Sequence, residues 1–233
     1  MHYKLCAYWK ARKEPIDACA ERLSQFLSAL SACDAAFTSW FEKTTSRRKA
    51  KQKEIDFKNI TFLVDFLEKG RQRRDIRGEV MDELGFHVGM WNGAKSSKMV
   101  GLNITCGLYS TVPGIGGNCV IMNLPEELGD LIQASHMATV LAATATSWDP
   151  DWAGVMSLEG MSNRNFAADA PFVDWMLYLS NRLAHNLNVP KPSLIQQIDS
   201  IGWLIIVQQE PTEADNPVHL ERIKSVQSVI GIK

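Results

Sequence analysis

Met99-Val100-Gly101-Leu102-Asn103-Ile104-Thr105-Cys106 switches character at every step: Val100, Leu102, Ile104 and Cys106 alternate with Met99, Gly101, Asn103 and Thr105. A period of two sends alternate side chains to opposite faces of a β-strand, so this stretch reads as a strand with one buried face. Its neighbours are of the same kind. Upstream, Phe86-His87-Val88-Gly89-Met90-Trp91 reads as a strand closed by Asn92-Gly93, the dipeptide most typical of a two-residue hairpin turn. Downstream, Pro113-Gly114-Ile115-Gly116-Gly117 reads as a loop leading into a strand from Cys119 to Leu124. Three strands joined in this way predict an antiparallel meander.

The rest of the chain places further strands and helices around this centre. His2 to Trp9 alternates and is β-rich. After Glu14-Pro15, apolar residues recur at 3/4 spacing (Ile16, Cys19, Ala20, Leu23, Phe26, Leu27, Leu30, Cys33), one stripe of an amphipathic helix. Asn59 is placed to cap a second helix carrying Ile60, Leu63, Val64 and Leu67, with Gly70 at its end. Pro125-Glu126-Glu127 predicts the start of a long helix running to about Thr144, its acids at the positive end of the dipole. Trp152 to Leu158 and Ile201 to Gln208 read as strands. Trp175 to Ser180 fits either a strand or a helix by spacing alone. Asn216-Pro217 opens a closing helix with Val218, Ile223, Val226 and Ile230 as its buried face. Helices early and late around a run of strands predict an α+β fold, a central, mostly antiparallel sheet flanked by helices, in a single domain over residues 1–233. A polar, basic connector occupies about residues 44–56.

Composition sets the outer limits. With 233 residues, 45% hydrophobic and 22% charged, the chain can bury one substantial core. Met1 to Cys6 has no apolar signal-peptide core, and no apolar run approaches a membrane span, so a cytoplasmic location is expected. Five cysteines (Cys6, Cys19, Cys33, Cys106, Cys119) lie among apolar neighbours without CxxC spacing, which predicts buried reduced thiols.

Charge is lopsided although the total is −1. Residues 43–77 carry 12 basic and five acidic residues, a net of +7, and residues 78–233 carry eight basic and 16 acidic residues, a net of −8. The run Arg47-Arg48-Lys49-Ala50-Lys51-Gln52-Lys53, with Arg71 to Arg74, is the best footprint for nucleic acid. Few aromatic residues lie among these charges to stack on bases, so a solvated face is the expected reading.

Catalytic signatures are missing. His2, His87, His136, His185 and His219 are scattered, with no HExxH or GxSxG. The glycine loop leads into a strand, so no helix end waits there for a phosphate. Glu126-Glu127 reads as a helix-start pair and Asp149-Pro150-Asp151 as a turn, with no third acidic ligand at metal spacing. The sequence therefore predicts no enzyme, no metal and no cofactor. The seven tryptophans remain. Trp40 and Trp175 sit in dense apolar context, and Trp9, Trp91 and Trp203 mark sheet and core. Trp148 and Trp152 flank the acidic turn, which predicts solvent exposure and a contact role, because a few aromatic anchors dominate interface energy.

Several of these segments, taken in order, carry a family likeness. They are Tyr8-Trp9-x-x-Arg12 with Glu14, Asp34 to Trp40, Gly85-Phe86 to Trp91-Asn92-Gly93, and Ile104-Thr105-Cys106-Gly107. They continue with Asn118 to Pro125, Trp148-Asp149-Pro150-Asp151 to Ser157, Trp175 to Ser180, and Asn216-Pro217-Val218-His219. This set resembles the immunity protein 52 family along nearly the whole chain. The resemblance implies a cytoplasmic antitoxin from a polymorphic-toxin or type VI secretion locus. Such a protein binds and silences a cognate toxin, here a nuclease of restriction-endonuclease type, and has no catalytic residues. It also favours the strand reading of Trp175–Ser180. The surface expected to meet the toxin comprises Glu126, Glu127, Asp130, Trp148, Asp149, Asp151 and Trp152, with no membrane or nucleic-acid partner, and monomer and homodimer both open. The alternatives are a nucleic-acid-associated protein using residues 43–77 and an enzyme with a dispersed site.

Overall fold

The structure is a computed structural model and describes residues 2–43, 51–73, 78–112, 115–184 and 187–231. In chain order the strands are β1 (Tyr3–Trp9), β2 (Phe41–Glu42), β3 (Phe86–Trp91), β4 (Gly101–Cys106), β5 (Asn118–Asn123), β6 (Trp152–Ser157), β7 (Met176–Ser180), β8 (Leu194–Ile198) and β9 (Gly202–Ile206). The helices are α1 (Ile16–Cys33), α2 (Ile60–Lys69), α3 (Ala134–Trp148), α4 (Leu158–Asn163) and α5 (Pro217–Ile230). The fold is α+β, and its strand pairs are antiparallel wherever their register is described. The chain packs as two compact units, residues 9–122 and residues 1–8 with 123–233.

In the unit of residues 9–122 the strand order is β2-β3-β4-β5. β3 and β4 pair from Phe86↔Cys106 to Trp91↔Gly101, and Val100, Leu102, Ile104 and Cys106 are fully buried as their alternation requires. α1 buries the expected stripe from Cys19 to Leu30 and packs against α2. The Asn59 side chain accepts from the Phe62 N–H at 3.1 Å, and Gly70 ends α2. The five cysteines are free, with Cys6, Cys19 and Cys106 buried.

Asn92-Gly93 does not make a two-residue turn. The register leaves residues 92–100 between β3 and β4, and Asn92 organises this longer loop with its side chain. Its Nδ2 donates to the Ala36 and Lys98 carbonyls at 3.1 Å each. Its Oδ1 accepts from the Ala94 and Val100 N–H groups at 3.2 and 3.0 Å. Gly93 has φ +71°, and a Cβ there would stand 2.6 Å from the Phe41 ring, so the position admits glycine alone. Asn92→Ala removes four hydrogen bonds and is expected to cost about 2–3 kcal/mol, since three of them are part-buried. Urea denaturation measures this directly, and Asn92→Asp, which keeps both acceptor contacts, should recover part of the loss.

In the other unit the order is β1-β6-β7-β9-β8. Every residue of β6 and β7 is buried, which explains their continuous apolar sequences: both faces are covered, so no polar alternation is needed. α3 packs against β6, β7 and β9, and α4 against β6. Trp175 to Ser180 resolves as strand, with β7 running between β6 and β9.

Three expectations shift. The long helix starts at Ala134 instead of Pro125, because a 3-10 turn (Gly129–Ile132) with Gly129 at φ +55° intervenes. β8, rich in Gln, escaped the apolar-period reading. In α5 the Asn216 cap holds, accepting from the Val218 N–H at 3.1 Å, but Val218 itself is 51% exposed, and His219, Ile223 and Val226 form the buried face. Residues 3 to 4 apart share a helix face, and His219 takes the place assigned to its neighbour.

Candidate functional site

The expected contact residues fall at the two ends of α3. Glu126, Glu127 and Asp130 precede it on an exposed loop. Asp149 and Asp151 follow it. A 15-residue helix spans about 22 Å at 1.5 Å per residue, so the two acidic groups form separate patches.

At the first end, Gly129 bends the chain and Leu131 plugs into the core, leaving the three acids in water. Ile132 beside them is 51% exposed. An exposed aliphatic residue among acids can serve as a contact anchor, and in the sequence Ile132 falls inside the long helix expected from Pro125.

The second end differs from its expectation. Trp148 is fully buried and Trp152 is 2% exposed, so both are core residues and not solvent-facing anchors. The reason is their element: Trp148 is the last residue of α3 and Trp152 the first of β6, each turned inward before the chain bends. Trp152 packs against Tyr8 and Phe166, with ring centroids at 5.0 and 6.2 Å, and donates from Nε1 to the Ala168 carbonyl at 3.3 Å. Phe166 in turn meets Phe172 edge-on at 5.5 Å.

Asp149 takes the left-handed conformation (φ 45°) that closes α3. Pro150 then turns the chain. Arg182, a residue the sequence did not single out, grips this turn. Its Nη1 donates to both Asp149 carboxylate oxygens at 2.9 and 3.0 Å, and its Nε to Asp151 at 3.0 Å. Its Nη2 reaches the Asp149 and Pro150 carbonyls at 3.0 and 3.1 Å. Partial burial opposes the Arg182 charge, but the bonds to Asp149 and Asp151 outweigh it and its pKa is raised. The turn is thus held rigid and much of its negative charge is neutralised.

A buried polar cluster lies in the same unit. Asp174 is fully buried and accepts at Oδ2 from the Ser157 N–H at 2.9 Å and the Ser157 hydroxyl at 3.0 Å. Arg164 approaches the same oxygen at 3.2 Å, donates to the Val173 carbonyl at 2.6 Å and stacks 4.5 Å over the Phe172 ring. Burial pushes the Asp174 carboxyl up against the opposing pull of Arg164, and burial lowers the Arg164 pKa. Both partners feel desolvation more strongly than they feel each other. A Cβ at Gly160 would sit 2.6 Å from Ser157 Oγ and 2.8 Å from Asp174 Oδ2, leaving no room for a side chain or for a bound molecule there. This cluster fastens the segment 164–174, which carries Phe166 and Phe172; it is a clasp and has no open face.

The core of the basic run, residues 44–50, and Arg74 and Arg77 lie outside the described residues, as do Pro113, Gly114 and His185. Of the described basic residues near them, Lys53 and Lys69 pair with Glu42 at 3.3 and 3.8 Å, and Arg71 with Glu68 at 2.8 Å. Arg71 also pairs with Asp82. Among the described residues no group of three His, Cys, Asp or Glu could hold a metal ion, and no helix is long and apolar enough to cross a membrane.

With this geometry in place, the family model of immunity protein 52 matches residues 2–232. The chain belongs to the immunity protein 52 family. Among solved structures, the fold is similar to that of the Pseudomonas aeruginosa T6SS protein PA0821, with a TM-score of 0.58, 15% identity, and coverage of 98% of this chain and 73% of that one. No curated protein matches the chain in sequence. In this immunity protein 52 chain Trp9, Trp91 and Trp152 are buried at strand positions, and Glu126, Glu127 and Asp130 are exposed before α3.

Proposed function

We propose that this immunity protein 52 member is a cytoplasmic, non-enzymatic antitoxin that silences a cognate secreted toxin by stoichiometric binding. The observation that carries the reading is the family match across residues 2–232. The likeness to a T6SS protein of Pseudomonas aeruginosa supports delivery of that toxin by type VI secretion. The toxin is a nuclease of restriction-endonuclease type. A nuclease must hold phosphates, so its cleft is positive, and residues 78–233 offer a net charge of −8 to meet it.

The contact surface centres on Glu126, Glu127, Asp130 and Ile132, with Asp149 and Asp151 contributing through the Arg182-held turn. Trp148 and Trp152 support that surface from beneath. The Arg182-held turn suits an inhibitor, because ordering a loop on binding costs affinity. An antitoxin of nanomolar strength needs about −12 kcal/mol, over an interface of roughly 1,600 Å² in total. Opposite charge speeds capture, and a few buried contacts slow release.

Co-expression with the toxin encoded by the neighbouring gene tests the reading: cells survive and the two chains co-purify. Death of the cells, or purification apart, contradicts it. Reversing Glu126, Glu127 and Asp130 to Lys is expected to slow association at least tenfold at low salt, with little change in stability, since all three are exposed. Stopped-flow association kinetics read the effect, and an unchanged on-rate moves the contact surface elsewhere.

A further inference from the structure

We propose that Cys19 and Cys106 form a latent disulfide, a bond that joins α1 to β4 when the chain folds under oxidising conditions. Both residues lie in the unit of residues 9–122, and both are fully buried. Cys106 is the last residue of β4 and belongs to its buried row with Val100, Leu102 and Ile104. Cys19 sits one turn into α1, its N–H donating to the Pro15 carbonyl at 3.1 Å. Neighbouring backbone pins the two elements together. The Arg12 N–H donates to the Leu108 carbonyl at 2.8 Å, and a Cβ at Gly107 would stand 3.2 Å from the Glu14 carbonyl oxygen. A hydrogen bond joins the two thiols. A disulfide requires side chains that converge, and thiols that bond each other do so.

The pairing is specific within this unit. Cys33 is the last residue of α1, 14 positions beyond Cys19, and so stands about 21 Å from it. The Cys119 thiol bonds Thr105. Successive strand residues point to opposite faces, so Cys119 and Cys106 lie on opposite sides of β4. Burial also sets when the bond can form. The hydrogen bond to Cys19 and then burial raise the Cys106 thiol well above its ordinary range, and the thiolate is the attacking species in exchange. The folded chain therefore keeps the pair as a dithiol, and the bond closes during folding. A low-molecular-weight disulfide such as oxidised glutathione is the oxidant. One cysteine thiolate attacks it, releases one glutathione thiolate and leaves a mixed disulfide. The second cysteine thiolate attacks the protein sulfur of that bond and releases the other glutathione. Two protein thiols are oxidised, one disulfide is reduced, and the two glutathione thiolates take up the two protons. A reducing cytoplasm holds the pair open, whereas an oxidising compartment closes it.

The full chain, unfolded in urea and refolded in glutathione buffers from fully reduced to fully oxidised, tests this. The refolded protein is quenched with acid, alkylated and digested without reduction, and its peptides are weighed. In the oxidised buffer the peptides carrying Cys19 and Cys106 are expected as one linked species, lighter by two hydrogens than the two together. In the reduced buffer both are expected alkylated and separate. The closed loop is long, so the linked protein should melt about 5–10 °C above the reduced one. Cys106→Ala should abolish the linked species and the gain in melting temperature, with unchanged circular dichroism in the reduced buffer. The wild-type peptides decide the question even if that variant does not fold. Cys19 and Cys106 both alkylated after refolding in the fully oxidised buffer overturn the proposal, as does their linkage to other cysteines or to glutathione alone. A linked protein that melts below the reduced one also overturns it, because that bond is foreign to the native packing.

Discussion

Trp152→Ala is expected to lower the free energy of unfolding by about 3–5 kcal/mol, the range for truncating a buried large aromatic residue. The side chain is 2% exposed and its ring touches Tyr8 and Phe166. Its loss also leaves the Ala168 carbonyl without its indole donor. The same substitution at an exposed contact anchor would leave stability nearly unchanged and weaken toxin binding instead. Urea denaturation therefore separates the two roles. Trp152→Phe should recover about half of the loss, because it restores aromatic packing but not the hydrogen bond or the full volume. A loss under about 1 kcal/mol for Trp152→Ala would return this residue to the surface role its sequence context suggested.

The second large effect is expected at Asp174. Asp174→Ala leaves the Arg164 guanidinium without its carboxylate in a largely covered site, and breaking a buried pair in this way costs about 3–5 kcal/mol. The Ser157 hydroxyl and N–H lose their acceptor as well. Asp174 also gives a pH signature of known sign. Its folded-state pKa is raised, chiefly by burial. Between its unfolded and folded pKa values the native state binds more proton, so this group's contribution to stability falls as pH rises through that window and is largest below it. Relative to Asp174→Asn, which cannot titrate, the wild type should therefore gain stability as pH falls from neutral toward 4. Thermal melts of the two proteins across that range measure the difference, and a wild type that loses ground to Asp174→Asn on acidification would contradict it. Glu210, whose pKa is lowered by a backbone hydrogen bond and by Arg222 and His219, works in the opposite sense in both proteins and cancels from the comparison.

Much of this was legible in residue spacing, and the failures share a cause. The Val100–Cys106 alternation and the Cys19–Leu30 stripe each report a one-sided burial, which is a local pattern that a linear reading can follow. Asn59 and Asn216 were legible as caps for the same reason, since a cap acts within three residues. Trp148 and Trp152 were misplaced because their neighbours in sequence, Asp149, Pro150 and Asp151, are polar. In space Trp152 meets Tyr8 and Phe166, from β1 and from a loop beyond α4, and Trp148 is fully buried at the end of α3. Arg182 and its two aspartates are 31 and 33 residues apart, and no spacing rule links them. Asn92-Gly93 failed on chemistry: the dipeptide suits a two-residue turn, but an Asn side chain that bonds three groups of its own loop and the remote Ala36 carbonyl can organise a longer loop instead. The acidic residues of the sequence were correctly seen as surface at Glu126, Glu127 and Asp130. What the sequence could not reveal is that α3, about 22 Å long, stands between them and Asp149 and Asp151.

The most direct test of the account is a titration of toxin activity. Purified toxin from the neighbouring gene is held at a fixed concentration, well above the dissociation constant, while its nuclease activity is followed as the immunity protein is added. Stoichiometric binding predicts a straight decline that reaches zero at one immunity chain per toxin, with the complex recovered intact and the toxin active again after its separation. Full inhibition by a small fraction of an equivalent, with covalently altered toxin, would make this protein an enzyme; activity that persists past several equivalents would show that it is not the antitoxin of that toxin.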